Sequence, residues 1–402
     1  MDIRELTLRL HSVSVMRDLL CDDVVKAIIS FLDGREAENE SKRIDLYTTF
    51  VNALYSSGNE NLTEYIKNIV FESENVYVRT LGKGEKPSVV LVKSYMEDLK
   101  TFGALAHLTP MELIDKYDEY GFLPSWTISQ TDIQSEALAR TQSIEKYGYG
   151  IYAKYRMFYV SEDYVITPVK NPDTIRLCDL VDYEREQKII MDNTRALLTS
   201  KPAANILLTG DAGTGKSSTI KAVVNELYSE GLRIIEVRKE QLCGIPKLLD
   251  ELSENPLKFI LFIDDLSFTK DDDNFSALKA ILEGSVSAKS NNVVIYATSN
   301  RRHLVKETFT DREGDDVHFN DTMQQILSLS ERFGIQLTFQ RPDKATYLDI
   351  VHNLADKSGI VYDKEKLDIA AERFALKRGT RSARAAKQFI DGISSGNGEI
   401  IV

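Results

Sequence analysis

The run Gly210-Asp211-Ala212-Gly213-Thr214-Gly215-Lys216-Ser217-Ser218 constrains this chain more than any other stretch. It follows the apolar segment Asn205-Ile206-Leu207-Leu208-Thr209 and leads into a helix-prone run from Ser218 to Tyr228. Strand, glycine-rich loop and helix in that order are the context a phosphate-binding loop requires. Glycines let backbone N–H groups turn inward onto phosphate oxygens, and the helix N-terminus adds partial positive charge. Lys216 is expected to reach the β- and γ-phosphates, and the Ser217 hydroxyl to ligate Mg²⁺. The expected ligand is a nucleoside triphosphate, held by Gly210 to Ser218.

Downstream, Phe259-Ile260-Leu261-Phe262-Ile263 is an apolar strand that ends in Asp264-Asp265. A buried strand delivering carboxylates at its C-terminal end supplies what a magnesium-nucleotide site needs opposite the loop. Asp264 is expected to hold Mg²⁺ through water or Ser217, and Asp265 to polarise the attacking water. The run 271–273, three aspartates, reads as a solvated loop or helix start. Asn292 to Asn300 is another apolar strand with a polar end, where Asn300 would orient the water or contact the γ-phosphate. With Asn205–Leu208, Leu232–Val237 and Ile335–Phe339 the count reaches five strands alternating with helices, an α/β sheet with its ligand at the strand C-termini. Leu180, Val181 and Tyr183 open a helix running through Glu184 to Leu198. They either close over a base or form the core of the helix junction, and both readings stand.

Residues 1–170 read as a mostly helical domain, with helices over Val15–Leu32, Ile44–Tyr55, Leu62–Val70 and Val89–Leu99 and another from Thr109-Pro110 to about Tyr120. Tyr147, Tyr149, Tyr152, Tyr155, Phe158, Tyr159 and Tyr164 read as one or two strands packing on the next domain. The alternative, stacking of nucleic-acid bases with Lys154 and Arg156, lacks a wider basic cluster. A linker is expected at 168–174, a nucleotide-binding core at 175–340, a helical lid at 341–392 and a loose tail at 393–402. The net charge of −12 argues against a nucleic-acid coat. Three scattered cysteines suit a reducing compartment. No apolar run has the length of a signal peptide or membrane span, so a soluble cytoplasmic protein is expected.

The phosphate loop, Ile263-Asp264-Asp265, Ala297-Thr298-Ser299-Asn300 and Ser330-Glu331-Arg332-Phe333 together resemble the ordered motif set of AAA+ ATPases. Asp264-Asp265-Leu266-Ser267-Phe268, Leu282-Glu283-Gly284-Ser285 and Thr298-Ser299-Asn300-Arg301-Arg302-His303-Leu304 are similar to a bacterial AAA+ family known only as domain of unknown function 815. The resemblance, over roughly 175–392, implies ATP as the nucleotide and a five-stranded parallel P-loop sheet with a C-terminal helical lid. It implies that Asn300 is the sensor 1 residue and that Arg332 is an arginine finger completing a neighbour's site, hence a homo-oligomer, often a hexameric ring. A sensor 2 arginine is implied near the third lid helix, where Arg384 fits the family pattern better than Arg381.

Two departures bear on function. Many AAA+ motors carry Asp-Glu where this chain has Asp264-Asp265, and the shorter acid sets a water-positioning carboxylate further back. The loop Gln241-Leu242-Cys243-Gly244-Ile245-Pro246 lacks the aromatic-glycine pair of polypeptide-threading unfoldases. The expectation is an ATP-hydrolysing protein that remodels or loads a macromolecular partner, with the N-terminal domain as its protein-binding adaptor. The alternative is an ATP-gated assembly switch with negligible turnover.

Overall fold

The computed structural model describes residues 2–35, 39–114, 120–267, 273–283, 291–300 and 331–397. The chain forms two compact units: Met1–Tyr155 with Glu254–Leu257, and Arg156–Ser253 with Lys258–Val402.

The first unit is helical: α1 (Ile3–Ser12), α2 (Asp23–Asp33), α3 (Glu40–Ser56), α4 (Leu62–Glu72), α5 (Val76–Gly82), α6 (Val89–Ala106) and α7 (Pro110–Leu113), then α8 (Ile133–Gln142), α9 (Ile144–Tyr147) and α10 (Ile151–Lys154). Short polar side chains start many of them. Asp22 caps α2, Asn61 caps α4, Asn75 caps α5 and Ser88 caps α6, each accepting first-turn N–H groups. Their apolar faces share one core that includes Leu10, Phe31, Tyr47, Phe50, Ile66, Leu99 and Phe102. The buried Asp98 is satisfied by the N–H groups of Ser14, Val15 and Met16 at 3.2, 2.7 and 3.0 Å. Of the helix expected from Thr109 to Tyr120, Pro110–Leu113 is helical, and residues 115–119 lie outside the described residues. Its capping box forms, but Ile114 turns extended with its side chain buried, ending the helix after one turn.

The second unit is built on a seven-stranded sheet of order β2-β1-β4-β5-β6-β3-β7. Its strands are β1 (Met157–Val160), β2 (Ile166–Pro168), β3 (Ile206–Gly210), β4 (Leu232–Glu236), β5 (Lys258–Ile263), β6 (Val293–Ser299) and β7 (Ile335–Phe339). The expected five strands are present and parallel, but five is too few. The aromatic segment read as one or two strands divides. Tyr147, Tyr149, Tyr152 and Tyr155 fall in the helical unit in and around α9 and α10. Phe158 and Tyr159 lie in β1 of this sheet, which pairs in parallel with β4 and carries β2 antiparallel on its other side. Met157, Phe158 and Val160 are buried there, and the added strands occupy an edge of β4 that would otherwise present unpaired backbone.

Helices α11 (Glu184–Leu198), α12 (Lys216–Leu227), α13 (Ile245–Ser253) and α14 (Asp273–Glu283) accompany the strands. Side chains of β3, β4, β5 and β6 pack with α11 and α12 in one core around Ile190, Leu208, Ile220, Val223 and Phe262. The central strand β5 is buried on both faces, which accounts for its unbroken apolar sequence. Three C-terminal helices follow, Lys344–Lys357, Lys364–Arg378 and Ala383–Gly392, with their own core around Tyr347, Val351, Ala371 and Phe389. The helix expected at 324–330 and the aspartates at 271–272 lie outside the described residues, as do 398–402 of the expected tail; Ile393–Asn397 forms one further wide turn.

Candidate functional site

Parallel register brings the ends of three strands together. Thr209 is level with Ser299 and Ile263 with Ala297, so Gly210, Asp264 and Asn300 emerge at one edge of the sheet. Such a crevice beyond the carboxyl ends of strands is where open α/β sheets hold ligands.

The loop between β3 and α12 is shaped by its glycines. Gly210 adopts φ +139°, and a Cβ there would stand 2.0 Å from the Phe339 carbonyl oxygen. Gly215 is the N-cap of α12 in left-handed conformation and brings no side chain to cap the helix. The first-turn N–H groups of α12 therefore remain available to an anion. Thr214 Oγ1 donates to the Asp211 carbonyl at 2.9 Å and closes the loop.

Lys216 is buried, and its ammonium donates to Gly210 O at 3.0 Å, Asp211 O at 2.8 Å and Asn300 Oδ1 at 3.0 Å. Burial pushes its pKa below the ordinary lysine range; Asp264, Asp211 and Asp265 oppose that, and the charge of Arg384 adds to it. Ser217 Oγ donates to Asp264 Oδ1 at 2.7 Å. Asp265, at φ 53° in left-handed conformation, accepts Asn300 Nδ2 at 2.7 Å on its Oδ1. Lys216, Ser217, Asp264, Asp265 and Asn300 thus form one hydrogen-bonded constellation. Its donor set fits the expected ligands: Ser217 and Asp264 offer the hard oxygens magnesium takes, and a buried ammonium beside uncapped N–H groups suits phosphate.

The other expected residues lie around this constellation. Leu180, Val181 and Tyr183 are not the first turn of a helix. The segment is non-helical and ends in two left-handed residues, Asp182 at φ 77° and Tyr183 at φ 69°, before α11 begins at Glu184. Val181 packs on the core of the C-terminal helices, while the Tyr183 ring lies 4.6 Å from that of Phe339 and its hydroxyl donates to Gln340 O. Arg384 approaches the loop: its N–H donates to Gly213 O at 3.4 Å, and a Cβ on Gly213 would stand 3.1 Å from Arg384 Cβ. Arg381 points its guanidinium at Glu372 in a two-bond pair of 3.0 and 2.8 Å. Arg332, half-buried, precedes β7 and so sits at the opposite sheet edge from the loop, about 17 Å of strand away.

Sequence reasoning gave no role to two groups at the site. Thr298 Oγ1 donates to Asp264 Oδ1 at 2.5 Å, and Arg341 Nε lies 3.5 Å from Asp211 Oδ2. The two-residue period of a strand, counted back from Asn300, was the available signal for Thr298; Arg341 had none.

Among solved structures, the Holliday junction branch migration motor RuvB of Thermotoga maritima aligns with a TM-score of 0.37 at 14 % identity, covering 55 % of this chain and 64 % of the motor. Two variants of the same motor align at 14 % identity with the same coverage of both chains, with TM-scores of 0.39 and 0.38. The aligned part spans less than two thirds of the motor's length. No curated protein matches the sequence. Among the described residues no helix is long and apolar enough to cross a membrane. The family described as protein of unknown function (DUF815) matches residues 153–397, well over half the chain, and this chain belongs to that family.

Proposed function

We propose that the chain is an AAA+ ATPase that binds ATP with Mg²⁺, hydrolyses it as a homo-oligomer, and uses the cycle to remodel or load a macromolecular partner. The observation that carries this reading is the constellation of Lys216, Ser217, Asp264, Asp265 and Asn300 at one sheet edge. Lys216 and the α12 N–H groups bind the phosphates, and Ser217 with Asp264 holds the magnesium ion. Bound there, the ion would neutralise charge on the β- and γ-phosphate oxygens. Asp265 orients the attacking water, with Asn300 fixing its carboxylate. Arg384, beside Gly213, approaches the phosphates from the lid, and Leu180, Val181 and Tyr183 flank the base. Arg332 lies too far along its own sheet to serve its own loop, which favours action on a neighbouring subunit. The helical unit is the adaptor for the partner.

A second reading, an ATP-gated assembly switch with little turnover, is favoured by one detail. Asp265 is a methylene shorter than glutamate and its carboxylate is already engaged by Asn300. One experiment separates the two: ATP hydrolysis measured against protein concentration for wild type and Arg332→Ala. Specific activity should rise with concentration and fall by about 10³-fold or more in the variant, as loss of an arginine finger does. Flat, near-zero turnover with tight ATP binding overturns the motor and leaves the switch.

A further inference from the structure

The Thr298 hydroxyl is buried beneath both acids of the site and bonded to each of their residues. It donates to Asp264 Oδ1 at 2.5 Å and accepts the Asp265 N–H at 3.0 Å. The Thr298 carbonyl accepts the Leu266 N–H at 2.7 Å, so one residue of β6 grips three consecutive residues after β5. A hydroxyl has a single proton to donate. With the Asp265 N–H on its lone pair, that proton is committed to Asp264.

The consequence falls on Asp264. Its Oδ1 receives the Thr298 hydroxyl, the Ser217 hydroxyl at 2.7 Å and the Asp265 N–H at 3.2 Å. Among the described residues no donor reaches Oδ2. The protein therefore holds the carboxylate by one oxygen and leaves the other without a donor among the described residues. Ser217, its proton given to Oδ1, is left with lone pairs for a cation. The same N–H bond supports Asp265 in a left-handed conformation that a non-glycine residue adopts only at a cost.

We propose that Thr298 is a positioning residue for the magnesium side of the site: its hydroxyl fixes Asp264 through Oδ1, so that Asp264 and Ser217 would be held ready to take the cation. The inference rests on the ATP-binding reading above. Partners of this outer kind typically contribute 10- to 100-fold to metal affinity.

The test is the gain in affinity for a fluorescent ATP analogue on adding Mg²⁺, measured for wild type, Thr298→Val, Thr298→Ser and Thr298→Ala. Thr298→Val should keep the magnesium-free affinity and lose about tenfold of the gain. Thr298→Ser, which restores the hydroxyl, should stay within about twofold of wild type, and Thr298→Ala should match the valine variant. If valine does not fold in this buried place, the serine–alanine pair decides. A full gain in a folded variant without the hydroxyl, or a serine variant as impaired as alanine, overturns the proposal while ATP binding stands. A wild type that binds the analogue equally well with and without Mg²⁺ overturns it too. A wild type that binds no analogue in either condition removes the ATP reading and this inference with it.

Discussion

Arg381 and Arg384 are three positions apart on either side of the Ser382 cap of one helix, yet their surroundings assign them different work. Arg381 is spent on Glu372, whose carboxyl it holds below the usual range through its hydrogen bonds. Arg384 stands against Gly213, and its charge reaches Lys216. Arg381→Ala should therefore lower the thermal midpoint by a few degrees and leave ATP affinity intact, whereas Arg384→Ala should weaken ATP binding or turnover with little change in melting. The pH dependence has a definite sign. A carboxyl with a depressed folded-state pKa contributes its stability above the unfolded value, here 4.5, and loses it as pH falls through the folded one. The melting difference between wild type and Arg381→Ala should be full above that value and shrink below it. Much of this scale was legible in the sequence. Lys216, Ser217, Asp264 and Asp265 sit in contiguous strings whose spacing is itself the signal. Thr298 was much less so: the strand period places it on the face of Asn300, but its bonds to Asp264 and Asp265 exist only once β5 and β6 are paired.

At the level of elements, legibility followed burial. Strands β3, β5 and β6 announce themselves as continuous apolar runs because strands between parallel neighbours are covered on both faces, whereas β7, at the sheet edge, alternates buried and exposed residues. The edge strand β2 and its neighbour β1 are short and partly exposed, and their hairpin turn places Tyr164 at positive φ with no glycine to mark it. That hairpin bears on the segment after β4, which the sequence marked as lacking a threading loop. Residues Lys239–Gly244 form a 3₁₀ turn fixed from several sides. Gln241 Nε2 donates to Val160 O at 3.0 Å and Ser161 O at 2.8 Å, while its Oε1 accepts the Arg238 N–H at 3.0 Å. The Tyr164 ring fills the space beside Gly244, and Lys239 Nζ donates to Ser267 O at 3.2 Å. A segment so pinned is poorly suited to gripping a moving polypeptide. Because Gln241 is buried, Gln241→Ala leaves its partners unsatisfied and should cost about 1–3 kcal/mol of stability in a urea titration. Affinity for ATP should not change, since no group of the constellation is touched.

On the scale of the whole chain, the helical unit and the unit built on the sheet have separate cores, and the family match covers only the latter apart from a few residues. The sequence could place the chemistry in one unit because phosphate and magnesium demand particular residue types. It could not say what the helical unit recognises, because a surface for a macromolecule needs only shape and scattered polarity. Separate cores predict separate unfolding. A chain with two such cores should depart from a single all-or-none transition in calorimetry. A ligand held only by the second unit stabilises only that unit, by about 2.7 kcal/mol when its concentration is a hundredfold above its dissociation constant. For a unit of this size that is a rise of roughly 5–10 °C in one midpoint. Saturating Mg²⁺ and ATP should move that transition and leave the helical unit's in place. If both rise together, nucleotide binding is coupled to the helical unit.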